Sequence, residues 1–328
     1  MSVVSIRLPY IDKHIFPRIA NSIRSYASYA LSLFGSVHIA HAPLFVSVEP
    51  ANFCQLRCPE CPVGNGNSGI SKGVMSRDVW QRTLNEITKT VWTIQFYFQG
   101  EPLLNNNLSE MIHEAHEKSI YTIVSTNAQA MTPEMAEKLI SAGLNRIIIS
   151  MDGLTPETYN AYRVGGNLEM TKAALRYLRE VKERLHGHTI VELQCLRLRT
   201  NEHEWEVFRR EYKLFGADCL SFKTAQLYNY ENGHPLMPSN LRYSRYVRGK
   251  DGLFRLRSRR KSCLRVWTGC VVTTTGEVLP CCYDKAHAHS FGNIMDAPLY
   301  ELFTNDTALA FRRAAIKEEP EICQQCWK

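Results

Sequence analysis

The stretch that decides the reading of this chain runs from Leu44 to Cys61, LFVSVEPANFCQLRCPEC. Residues 44–48 are apolar except for Ser47 and rich in β-branched and aromatic side chains, as expected of a short buried strand. Directly after it come three cysteines at the spacing Cys54-x3-Cys58-x2-Cys61. Outward from that unit the pattern repeats. Strand-like runs at 93–98, 121–125, 146–150, 189–198 and 219–223 are separated by helical runs at 76–88, 108–118, 133–142, 168–185 and 202–215. Such alternation builds a parallel sheet with crossover helices. About six β/α units fall short of the eight in a closed barrel. The expected fold class is therefore α/β, a partial (β/α)6 TIM-type barrel over residues 44–224, with functional side chains gathered at the C-terminal edge of its strands.

Residues 1–43 read as an N-terminal helical extension. Within 11–34, Ile15, Ile19, Ile23, Tyr26, Ala30 and Phe34 recur at helical spacing, so the helix is amphipathic. Arg18 and Arg24 break the roughly 20-residue apolar run that a bilayer span needs. The apolar face is expected to pack on the main domain, with contact with a membrane surface as the alternative. Charges within 6–18 do not fit a secretory signal, so the expected location is the cytoplasm. Residues 225–262 are loop-rich and read as a linker or substrate-covering segment, and 263–328 as a small module with a hairpin around Thr275-Gly276 and a helix over 298–316.

A length of 328 residues with 45% hydrophobic content is enough to bury a large core. The net charge of +7 is scattered except at 255–261, RLRSRRK, which lacks any accompanying recognition motif; no nucleic-acid partner is expected. Eleven cysteines, an odd number, point to a reducing compartment and to metal or cluster ligation rather than a disulfide set.

Three thiolates at the Cys54, Cys58, Cys61 spacing suit three irons of a [4Fe-4S] cluster and leave the fourth iron open to a small molecule. Zinc would need a fourth protein ligand, and no His or Cys lies close by in sequence to supply it; zinc or buried structural thiols remain the alternative. In this spacing and its place after the first strand, the chain resembles the radical S-adenosylmethionine superfamily over about 44–223. The resemblance implies an S-adenosylmethionine-binding [4Fe-4S] cluster on Cys54, Cys58 and Cys61 that cleaves the cofactor reductively to a 5′-deoxyadenosyl radical. It implies further that Gly100 and Glu101 of Gly100-Glu101-Pro102, Ser125 and Asn127, Ser150 and Asp152, and Arg163 surround the cofactor, Arg163 facing its methionine carboxylate. The motif's first glycine is replaced by Gln99. Turn formation, helix capping and surface ion pairing are the structural alternatives for these residues.

Cys263, Gly276-x4-Cys281 and Cys323-x2-Cys326 resemble the SPASM/twitch extension of that superfamily. The resemblance implies one auxiliary iron–sulfur cluster, [4Fe-4S], on Cys263, Cys281, Cys323 and Cys326, with Cys282 able to replace Cys281 and a structural zinc as the alternative. Of the remaining cysteines, Cys195 and Cys270 are candidate hydrogen donors to a substrate radical. The expected activity is that of an oxidoreductase or epimerase on a small polar, sugar-like substrate, served by a reductant such as flavodoxin or ferredoxin. A peptide-modifying maturase is the second expectation, and a non-catalytic zinc or electron-transfer scaffold the third.

Overall fold

In the computed structural model, which describes residues 13–257 and 263–326, all six expected strands form one parallel array. They are β1 (Phe45–Val48), β2 (Thr93–Phe96), β3 (Tyr121–Thr126), β4 (Arg146–Ser150), β5 (Ile190–Arg197) and β6 (Cys219–Thr224), each paired with the next. Helix α1 (Ile15–Ser32) precedes them; α2 (Arg77–Ile87), α3 (Leu108–Glu117), α4 (Pro133–Ser141), the short α5 (Pro156–Asn160), α6 (Leu168–Arg184) and α7 (Trp205–Glu211) make the crossovers. Ser76, Thr132, Thr155 and Asn167 each accept a backbone N–H at the start of their helix, satisfying donors that a helix end leaves unpaired.

The sheet has two faces because side chains alternate along a strand. Val46, Val48, Ile94, Phe96, Val124, Ile147, Ile149, Val191 and Leu193 point outward into one core with Trp80, Leu84, Ile112, Leu139 and Leu178 from the helices. The inward positions are largely polar, and they line a cavity.

The C-terminal hairpin does not stand apart from the barrel. Strand β9 (Gly269–Val272) runs parallel to β1 and pairs with it directly, and β10 (Val278–Leu279) returns antiparallel to β9, giving the order β10-β9-β1-β2-β3-β4-β5-β6. An otherwise open edge at β1 is thereby covered. β9 packs closely on β1 at its start, where a Cβ on Gly269 would lie 2.3 Å from the Phe45 ring and displace it. The helix expected over 298–316 is two, α9 (Leu299–Thr304) and α10 (Asp306–Ile316), because Asn305 takes an extended conformation and caps α10 through Ala308 N–H. Short helices α8 (Arg265–Thr268) and α11 (Glu321–Gln324) flank them. Strands β7 (Tyr246–Arg248) and β8 (Phe254–Leu256) form a small hairpin in the segment read from sequence as loop. The basic run 255–261 lies for the most part outside the described residues.

Helix α1 forms as expected but faces the other way. Its polar residues Arg18, Asn21, Ser25, Ser28 and Ser32 are buried, whereas Ile19, Ile23, Tyr26 and Phe34 are 43–89% exposed. The surface it meets is rich in backbone acceptors, and Arg18 donates to the carbonyls of Thr88, Lys118 and Ser119 at 2.8–2.9 Å. Those carbonyls end α2 and α3 and lack helical partners, so a guanidinium fits there better than an isoleucine. Asn21 and Ala42 bond reciprocally, and Ser25 donates to the Trp267 carbonyl. Among the described residues, no helix is long and apolar enough to cross a membrane.

Candidate functional site

The loop after β1 carries Cys54, Cys58 and Cys61 to the C-terminal edge of the sheet, where all three line the cavity. Two glycines shape the loop's surroundings. Gly100 has φ +66°, and a Cβ there would come within 2.3 Å of the Ala51 carbonyl, so the turn after β2 lies directly against the cysteine loop. A Cβ on Gly64 would lie 2.7 Å from Cys58 N, which lets the loop fold closely on itself. The Cys54 sulfur accepts from Asn127 Nδ2 at 3.2 Å and Leu56 N at 3.4 Å, and Arg163 Nη1 lies 4.0 Å from the Cys58 sulfur. Burial, then the charges of Glu101 and the neighbouring thiols, push the Cys54 thiol up to about 11; burial also raises Cys58, against the pull of Arg163. Three cysteines on one loop, with donors already aimed at the Cys54 and Cys58 sulfurs, suit an iron–sulfur cluster. Among the described residues no three His, Cys, Asp or Glu side chains converge at metal-binding distance; the three cysteines stand apart along the cavity wall.

The acidic residues hold the frame. Glu101 is fully buried and accepts from Leu103 N, Thr126 Oγ1 and Asn127 N at 2.6–3.1 Å, tying the end of β3 to the turn after β2. Burial raises its carboxyl against these hydrogen bonds. A carboxylate has about four acceptor sites, so the three bonds leave little for a ligand. Asp152, also fully buried, accepts from Arg163 Nε at 2.5 Å and Leu196 N at 2.6 Å. Burial opposes the charge on Arg163, but Asp152 and Cys58 outweigh it and raise its pKa, so the guanidinium stays protonated at the cavity wall. Ser125 and Ser150 line the same cavity.

That cavity, about 640 Å³, is built by the barrel, the segment after β6 and the C-terminal part together. Its wall includes Gln95, Tyr97, Arg146, Glu192, Gln194 and Lys223, none of them singled out by motif. The signal lay in the alternation: Arg146, Ile148, Ser150 and Glu192, Gln194, Leu196 are every second residue of their strands, and the positions between them are apolar. Arg146 pairs with Glu192 at 2.9 Å. Arg245 joins the three parts, donating to Thr224 of β6 and to the Tyr283 hydroxyl. Lys285 donates to the Tyr228 hydroxyl at 3.3 Å and Glu60 accepts from Tyr228 N, so the segment after β6 closes over the cysteine loop.

In the C-terminal part, Cys281 and Cys323 are buried in the main core and Cys263 packs against it, with Arg265 close to the thiols of Cys282, Cys281 and Cys263. Burial opposes the charge of Arg265 and these sulfurs more than compensate. Cys323 and Cys326 sit one turn apart on and after α11, and Cys326 lies near Tyr283. Cys282 is half-buried where Cys281 is buried. The two candidate hydrogen donors are elsewhere. Cys195 and Cys270 are 0% and 1% exposed, on the outward faces of β5 and β9, and neither lines the cavity. Strand alternation is the cause: Cys195 lies between the inward Gln194 and Leu196. Burial drives the Cys270 thiol up to about 12.

Known proteins resemble this chain in sequence and in fold. The radical SAM superfamily profile matches residues 48–193, and that of the SPASM iron–sulfur cluster-binding domain matches 263–327. The chain is 25% identical over 312 residues to the AdoMet-dependent heme synthase of Methanosarcina barkeri, covering 86% of this chain and 88% of that protein. It is 26% identical over 315 residues to the PqqA peptide cyclase of Ruegeria pomeroyi, covering 87% and 80%. Among solved structures, BtrN in complex with AdoMet and 2-DOIA aligns with a TM-score of 0.52 at 18% identity, covering 87% of this chain and 93% of that one. The anSMEcpe structure with bound AdoMet and the Cp18Cys peptide aligns with a TM-score of 0.61 at 18% identity, covering 87% and 86%. At such identity the structural likeness is one of fold.

Proposed function

Because the chain belongs to the radical SAM superfamily and carries a SPASM iron–sulfur cluster-binding domain, we propose that it oxidises a small polar substrate bearing an anionic group. When bound, the [4Fe-4S] cluster and S-adenosylmethionine would supply a 5′-deoxyadenosyl radical for hydrogen abstraction, and an auxiliary cluster would supply an acceptor for the second electron of the oxidation. In this reading Cys54, Cys58 and Cys61 hold the first cluster, and Cys263, Cys281, Cys323 and Cys326 the auxiliary one. Arg163, fixed by Asp152, meets the carboxylate of the cofactor; Gly100 gives it room, and the Ser125 and Ser150 hydroxyls meet its polar parts. Glu101 and Asn127 act through the frame, holding the β3 end and the Cys54 sulfur. Flavodoxin or ferredoxin supplies the first electron.

The observation that carries the substrate class is the cavity wall. Arg146, Arg163, Lys223, Arg245 and Lys285 line it beside the carboxyls of Glu60, Glu101 and Glu192, of which Glu192 pairs with Arg146. A surplus of positive charge in a low-dielectric pocket favours a carboxylate or phosphate. The size agrees: about 640 Å³ lies within the roughly 300–1,000 Å³ of small-molecule sites and must also hold the cofactor. Oxidation is favoured over epimerisation because Cys195 and Cys270 do not line the cavity. A peptide presenting one acidic side chain is the second reading, supported by the likeness to a PqqA peptide cyclase.

Lys223→Ala and Lys285→Ala test the substrate class. Assayed with anionic polyols and with an acidic peptide, each should raise KM about tenfold while cofactor cleavage without substrate stays unchanged. Unchanged KM in both variants contradicts the anionic assignment.

A further inference from the structure

We propose that the exposed apolar face of α1 lies on an anionic lipid surface. This rests on the packing of the helix alone and is independent of the reaction. Phe16, Ile19, Ile23, Tyr26 and Leu31 on the helix, with Leu33 and Phe34 beyond it, are 43–89% exposed. The helix cannot relieve this by rolling over. Its other face is held by Arg18, Asn21, Ser25 and Ser28, whose hydrogen bonds reach the carbonyls of Thr88, Lys118, Ser119, Ala42, Trp267 and His38. The protein thus occupies the polar side of the helix and fixes the apolar side outward.

Charge and area select the occupant. No Asp or Glu occurs between Lys13 and Val48, and Arg24 is exposed on the outer side. Lys13, Lys89 and Lys118 are exposed around the beginning of the helix, with Glu117 as a carboxylate in that group. An apolar strip flanked by cations is the pattern of a helix lying in the interface of an anionic bilayer. A second copy of the chain fits less well. Eighteen residues make a helix about 27 Å long, and a face about 10 Å wide offers about 300 Å² per copy against the roughly 800 Å² per partner of a stable interface. The location also suits lipid. Arg18 binds carbonyls at the ends of α2 and α3, the N-terminal edge of the sheet, so a docked protein keeps its cavity, at the opposite edge, open to water.

The test is co-sedimentation of the full chain with vesicles of phosphatidylcholine and phosphatidylglycerol, and of phosphatidylcholine alone. The wild type should bind the anionic vesicles more tightly, and the Ile19→Glu/Ile23→Glu double variant should lose at least about tenfold in affinity, since two exposed isoleucines no longer enter the acyl boundary. Arg24→Glu should weaken binding in a salt-dependent way. Circular dichroism of the variants should match the wild type. Absence of binding by the wild type, or equal binding by the double variant, overturns the proposal. A concentration-dependent dimer in ultracentrifugation that the double variant abolishes would give the face to a second copy and overturn it as well.

Discussion

Single side chains decide how firmly the site is held. Asp152 is buried with both oxygens engaged, one by Arg163 and one by the Leu196 amide. Removing one partner of a buried ion pair strands the other charge, so Asp152→Ala should lower stability by about 3–5 kcal/mol, read from the urea midpoint. A loss below about 1 kcal/mol would mean that Arg163 is solvated and not fixed. Glu49 gives a pH signature. Burial raises its carboxyl from 4.5 to about 7, against bonds from the Thr274 and Gln99 backbones and with a contribution from Glu277. The folded protein thus binds this proton more tightly than the unfolded chain. Its contribution to stability is full below about pH 4.5 and is lost as pH rises through about 7. Between about pH 5 and 8 the wild type should lose on the order of 1–3 kcal/mol more than Glu49→Gln in denaturant titrations; identical slopes contradict this. At this scale the sequence told the cysteines plainly, because thiol spacing is chemistry in itself. For Arg146 and Glu192 it carried only the alternation that sets them on one face of their strands, since no motif says that this face lines the cavity.

Among the elements, the parallel strands were legible nearly to the residue, and β4 (Arg146–Ser150) to its ends, because buried strands are short, apolar and bounded by turns. The orientation of α1 was not legible. Periodicity reveals that a helix has an apolar face and says nothing of which face meets the protein; here unpaired carbonyls at two helix ends attract Arg18. Arg18→Ala leaves these carbonyls without donors and should cost about 2–4 kcal/mol. Limited proteolysis should then cut within residues 13–44 well before the barrel is attacked. Equal resistance of variant and wild type contradicts the anchoring. The hairpin of β7 and β8 escaped the sequence reading because three-residue strands carry too little alternation to register.

Across the whole molecule, the C-terminal part completes the sheet and walls the cavity. The sequence separated it at 263 because its cysteines stood out, but pairing of β9 with β1 is a contact between residues more than 200 positions apart, which composition does not signal. Ending the chain at residue 262 removes Trp267 and Phe303 and should expose the β1 edge together with Tyr29 and His41, which those rings cover, giving aggregated protein rather than a folded barrel. A monomeric, cooperatively melting truncation contradicts that view. Radical chemistry seated on Cys54, Cys58 and Cys61 can be read out by anaerobic reconstitution with iron and sulfide, reduction with dithionite, and chromatography for 5′-deoxyadenosine. The wild type should form it and a Cys54, Cys58 and Cys61 triple alanine variant should not. Formation by neither protein, together with zinc binding by the wild type in the absence of sulfide, would contradict the account.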